Sequence, residues 1–221
     1  MRIHTIIGNN QTEDSQTEFV EEMQKNFSVS FSHSFQDYEH VPWESYKDGA
    51  LGIEKRWIKN DLTRLYANHG EFIDIVAYAV PEPYWENGTR AIWGWHVGRQ
   101  IRDYEVIIYQ MRPDYFDTAE HEVFHCLDDI VWEYLGYSLE DVLGVSDYDQ
   151  DVIHGNDPRF EEYKWDDIAE QIAPHVEKAI KVKRGEISQS RLQRLLVNMR
   201  GWVLRMRSQL HEITKGKRKK K

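Results

Sequence analysis

One cysteine, Cys126, stands in 221 residues. That excludes an internal disulfide framework and fits a reducing compartment, or a particle assembled in one. No apolar run approaches the roughly 18–20 residues needed to span a bilayer. The opening stretch, MRIHTIIGNN, holds one basic residue and too short an apolar run for a secretory signal. The expected location is therefore cytoplasmic or virion-associated, with no transmembrane segment. No repeat period is present, and low complexity is confined to the last seven residues, KGKRKKK. What the sequence does have is 40% hydrophobic and 30% charged residues, with 8 Trp, 12 Tyr and 8 Phe. Such a chain folds around a core instead of remaining disordered.

The net charge of −10 conceals a split. Residues 181–221 carry 14 Lys/Arg against 2 Asp/Glu, a balance of +12, which leaves −22 on residues 1–180. This asymmetry marks a boundary between an acidic globular body, 1–180, and a basic appendage, 181–221.

Periodicity places the elements. A strand is expected at Ile3–Ile7, a helix over about Glu13–Lys25, and a half-buried strand from Phe27 to Phe35, where Phe and Val alternate with Ser. From Ser45 to about Asn68 the spacing of Leu51, Trp57, Ile58, Leu62, Leu65 and Tyr66 predicts a helix, with Gly70 as its cap. Strands follow at Phe72–Val80, Ala91–Val97 and Tyr104–Tyr109. Asp117 and Glu120 form a capping-box-like start for a helix running to Leu135, with Gly136 as its stop. A short helix at Leu139–Leu143, an acidic loop over Ser146–Asp157, a helix from Trp165 to Ile180 and a basic helix from Ser188 to Thr214 complete the chain.

The helix expected after Asp117 contains His121-Glu122-Val123-Phe124-His125. At about 100° per residue, two histidines four apart lie within roughly 40° of each other, one turn apart. Both imidazoles can then reach one tetrahedral ion, with the Glu122 carboxylate beside it as general base for a hydrolytic water. Val123, Phe124, Leu127, Ile130, Val131, Tyr134 and Leu135 fall on the opposite face, so the helix can bury one side and present the motif on the other. Chance alone would give about 0.04 such motifs in a chain of this composition. Cys126 points about 100° away from His125 and is read as a small semi-buried thiol, not a co-ligand.

A helix, a strand-rich stretch and an H-E-x-x-H helix together resemble the zincin metallopeptidases over roughly residues 1–180. The resemblance implies an α+β fold: a mixed sheet packed on a backing helix, here Tyr46–Asn68, with an edge strand above the metal, here at or near Ala91–Val97. It also implies Zn2+ and a peptide or protein substrate pairing with that edge. Similarity to small zincin-like proteins encoded by phages implies a viral protein. The chain departs from the metzincin pattern, because Asp128 and Val131 replace the expected glycine and third histidine and no methionine occurs between Met111 and Met199. Glu162 with Asp166 fits the gluzincin pattern only loosely, so no clan is assigned.

The candidate metal ligands are therefore His121, His125 and, third, His154, in an acidic loop after the motif helix where Gly155 allows close backbone approach. Glu162, Asp129 and Asp149 are the alternatives. Asp128 and Asp129 are expected to orient a histidine ring; Tyr148 or Tyr163 is expected to stabilise the oxyanion. His4, His33, His40, His69, His96, His175 and His211 have no spacing logic and are assigned structural or exposed roles. The basic helix carries Leu192, Leu195, Leu196, Met199, Trp202, Val203, Met206 and Leu210 as an apolar stripe among arginines. It suits packing on the acidic body, a protein partner, nucleic acid or an anionic membrane surface. Two functions compete: a zinc metallopeptidase using Glu122, and a non-catalytic structural or docking protein on a zincin scaffold anchored by the basic helix.

Overall fold

A computed structural model describes residues 1–8, 16–45, 51–69, 73–80, 94–98, 104–110, 116–144 and 165–189. Gly70, the acidic loop and the basic helix beyond residue 189 lie outside the described residues. The chain begins with strand β1 (Arg2–Gly8), helix α1 (Thr17–Asn26) and strand β2 (Ser30–Gln36). A short hairpin, β3 (Trp43–Ser45) and β4 (Leu51–Ile53), precedes helix α2 (Lys55–His69). Then come β5 (Ile75–Val80), β6 (Gly94–His96), β7 (Glu105–Gln110), α3 (Phe116–Leu135), α4 (Leu139–Val142) and α5 (Trp165–Lys183).

Five strands form one sheet in the order β2-β1-β5-β7-β6. The first four are parallel, and β6 runs antiparallel to β7 at the edge. The sheet is mixed, as expected, but its parallel strands are wound with helices in the α/β manner; helices and strands are not segregated as α+β implies. β5 sits at the centre, and its sequence IVAYAV is buried at every position, as a parallel strand covered on both faces requires.

The path from β1 to β2 crosses the sheet in one direction and the path from β2 to β5 crosses in the other. Right-handed crossovers then place their helices on opposite faces. Phe19 and Met23 of α1 join Val123, Leu127 and Ile130 of α3 and Ile172 and Val176 of α5 in one core. Ile58, Leu62 and Leu65 of α2 pack with Ile6, Val76, Tyr78 and Val106 in the other. The helix expected to back the sheet thus lies across it from the motif helix; those sharing the motif helix's face are α1 and α5.

The expected helix from Ser45 is shorter than predicted. Leu51 belongs to β4, which pairs with β3 before the chain turns into α2 at Lys55. Its seven-residue gap to Ile58 mimicked helical spacing, while Gly49 and Gly52 weaken helix propensity at that end. Where they fall on described residues, the boundaries of the other strands and helices up to α5 agree to within a few residues. α5 runs three residues past the expected body boundary, and Lys183 and Arg184 both donate to the buried carboxylate of Asp74. The start of the basic segment is therefore tied to the acidic body. Among the described residues no helix is long and apolar enough to cross a membrane.

Candidate metal centre

Helix α3 begins at Phe116, so Asp117 stands within its first turn instead of capping it from outside. It ends where expected: Gly136 adopts φ 84° and donates its N–H to the Trp132 carbonyl at 2.9 Å. A left-handed residue there closes the helix, which is glycine's role. Six apolar side chains of the predicted face, Val123, Phe124, Leu127, Ile130, Val131 and Leu135, are buried against the sheet and α5. Each contributes about 1.5–3 kcal/mol relative to exposure. Their sum fixes the rotation of the helix about its axis and, with it, the direction in which the motif points.

That rotation leaves His121 and His125 half-buried, with their Nε2 atoms 3.3 Å apart and their rings near-perpendicular at 79°. Two imidazole nitrogens bound to one tetrahedral zinc at about 2.0–2.1 Å stand about 3.3–3.4 Å apart. The separation therefore fits a shared zinc ion. Without a cation, one ring must donate and the other accept.

Glu122 is buried at 7% exposure. Burial pushes its carboxyl up to about 7, with the His96 charge and a hydrogen bond from the His96 backbone N–H pulling the other way. A dication nearby would draw it further down.

The third element is β6. Val97 donates its N–H to the Val106 carbonyl at 2.8 Å, so Val97 and, two residues back, Trp95 face β7. By the alternation of an antiparallel ladder, the backbone groups of Gly94 and His96 face outward, away from the sheet. The outward N–H of His96 is the one that meets Glu122. The His96 ring stacks on His125 at 14° and 5.8 Å. Its Nε2 lies 3.2 Å from Glu105 Oε2 and 3.6 Å from Asp129 Oδ2. Burial alone would lower the His96 pKa, but the Glu105 hydrogen bond and the charges of Asp129, Glu105 and Glu122 outweigh it and raise the pKa above its ordinary value.

The structure thus brings His121 and His125 together and sets Glu122 against His96, which stacks on His125 and which sequence reasoning set aside as structural. Its signal was present in the strand expected over Ala91–Val97, but nothing in a strand's spacing ties it to a helix motif. His154, Glu162, Asp149, Tyr148 and Tyr163 lie outside the described residues. Asp129 is at the site, facing His96. The Asp128 carboxylate accepts the Leu139 N–H, securing the turn into α4, whose start is closed by a capping box between Ser138 and Asp141. The remaining described histidines keep local roles: His4 between Ser32 and Ser34, His40 on Asp37, His175 on the Tyr137 hydroxyl.

Cys126 is fully buried, not semi-buried, and burial pushes its thiol well up, helped by the Glu105, Asp129 and Glu122 charges. Among the described residues, three metal-ligating side chains converge at one place: His96, Glu105 and Cys126, whose donor atoms lie within 4.8 Å of one another. Compared with protein-family models, curated proteins and solved structures, the chain matches none, so its chemistry must be read from these side chains.

Proposed function

We propose that this protein is a zinc-dependent hydrolase of the zincin type, acting on peptide bonds. The observation that carries the reading is the 3.3 Å separation of the His121 and His125 Nε2 atoms, which suits two ligands of one tetrahedral ion. His154, from the acidic segment after α4, is the proposed third ligand. Zinc so held supplies Lewis acidity, making a water acidic near neutral pH and polarising a carbonyl.

The chain's own residues supply the rest. Glu122, adjacent in sequence to His121 and largely shielded from solvent, takes the proton of the attacking water and returns it to the departing amine. The edge strand β6 supports a peptide as the substrate class. Gly94 turns its backbone N–H and C=O outward, so an extended chain can add to the sheet there by β-augmentation. His96, donating to Glu122 from the same strand, ties the position of that edge to the position of the base. Glu105 and Asp129 hold the His96 ring from its other side.

The test is a peptide-library digestion read by mass spectrometry, comparing the zinc-loaded protein with Glu122→Gln. The substitution keeps size and hydrogen bonding but cannot accept the proton, so cleavage should fall at least about 10²-fold while zinc is retained. Equal cleavage by both proteins would remove Glu122 from the reaction and, with it, this mechanism.

A further inference from the structure

We infer that His96, Glu105 and Cys126 form a second cation site, distinct from the His121/His125 pair, which takes a borderline-soft divalent ion such as zinc. The three donors come from three elements: β6, β7 and α3. Their ligating atoms lie within 4.8 Å of one another. Glu105 is 1% exposed and Cys126 is fully buried, so neither is a surface group met by accident.

The chemistry of the set is selective. Imidazole, carboxylate and thiolate together suit zinc and its neighbours, whereas magnesium and calcium prefer oxygen alone. Donor atoms around a tetrahedral zinc stand about 3.3–3.6 Å apart. His96 Nε2 and Glu105 Oε2 already meet that at 3.2 Å. Bringing all three donors from the 4.8 Å limit to that spacing takes roughly an ångström of movement, within the reach of the cysteine's side-chain rotation. Asp129, 3.6 Å from the same His96 nitrogen and half exposed, borders the site on its solvent side. On binding, the thiol proton is released to solvent, and the proton that His96 Nε2 donates to Glu105 leaves that nitrogen too, so the ring ligates as a neutral imidazole protonated at Nδ1. The resulting thiolate and the Glu105 carboxylate balance the charge of the dication in a place where an unbalanced charge would be costly.

The consequence is structural and local. Short edge strand β6 would be pinned to β7 and to the motif helix by a metal tie. The ion would hold the outward-facing backbone of Gly94 and His96 in register beside Glu122.

Cobalt(II) titration of the full chain tests this, because Cys126 is the single cysteine and the His121/His125 site offers no sulfur. The expected result is a thiolate-to-cobalt charge-transfer band that persists in a His121→Ala/His125→Ala double variant. The band should vanish in Cys126→Ser, and at least tenfold more cobalt should be needed to produce it in Glu105→Gln and in His96→Asn. Those last two variants keep the thiol and guard against a misfolded Cys126→Ser. Cobalt binding without the band, or a band indifferent to Glu105→Gln and His96→Asn, would overturn the inference. Loss of cobalt from the double variant with the band intact would leave it standing and report only on the motif site.

Discussion

Lowering the pH from neutral should unfold this protein earlier than its carboxylates require, and His4 is the reason. His4 lies in β1 with no exposed surface, its Nδ1 2.8 Å from the Ser32 hydroxyl and its Nε2 3.0 Å from that of Ser34. Burial first, and then the charge of His69, whose ring centroid is 5.0 Å away, push its pKa down from 6.5 to about 4. In the unfolded chain His4 takes up a proton near its ordinary value; in the folded chain it resists until about pH 4. Across that window the unfolded state binds more protons, so stability is full above about pH 6.5 and is lost as the pH falls. A shift of this size corresponds to about 3 kcal/mol, a large part of the 5–15 kcal/mol that holds a typical domain folded. Urea unfolding at several pH values between 7 and 4 measures it. His4→Gln keeps a donor and an acceptor for the two serines but does not titrate. The wild-type midpoint should therefore fall with pH more steeply than that of the variant, by an amount equivalent to about 3 kcal/mol over the window. Parallel pH dependences would mean that His4 titrates normally, and the account of its burial would be wrong.

Two more consequences concern the frame that holds the site. Asp74, at 2% exposure, accepts from the Arg2 N–H, Lys183 and Arg184; Asp74→Ala strands a nearly buried lysine and should cost about 3–5 kcal/mol in thermal or chemical unfolding. An unchanged melting temperature would show that the start of the basic segment is not anchored there. Gly136→Ala forces a side chain into the left-handed conformation at φ 84° and should destabilise by about 1–2 kcal/mol. Zinc content should stay the same, since the change lies eleven residues beyond His125.

What could be read in advance followed from local periodicity. The α3 sequence states both its buried face and its motif face, because a single helix determines their relation. The run of β-formers over Phe72–Val80 marks β5 as a strand, though not its central place in the sheet. Where two elements mimic one period, the reading failed: Leu51 falls in step with Ile58 yet sits in the β3–β4 hairpin. His96 and Glu105 were illegible for a different reason. Their approach to Glu122 and Cys126 depends on the β6–β7 register, with His96 opposite Ile107, and on α3 packing against those strands. No spacing along one segment encodes a contact among three. The parallel winding of the sheet likewise emerges from long-range pairing and not from any single strand's pattern.

Whether His121 and His125 share one zinc ion, as proposed, is decided by elemental mass spectrometry. Wild-type protein purified without chelator should be compared with His121→Ala, His125→Ala and His154→Ala, each checked for folding by circular dichroism. Each of the first two variants should lose one zinc equivalent per chain, and His154→Ala should do the same. Zinc content unchanged in folded His121→Ala and His125→Ala proteins would contradict the proposal.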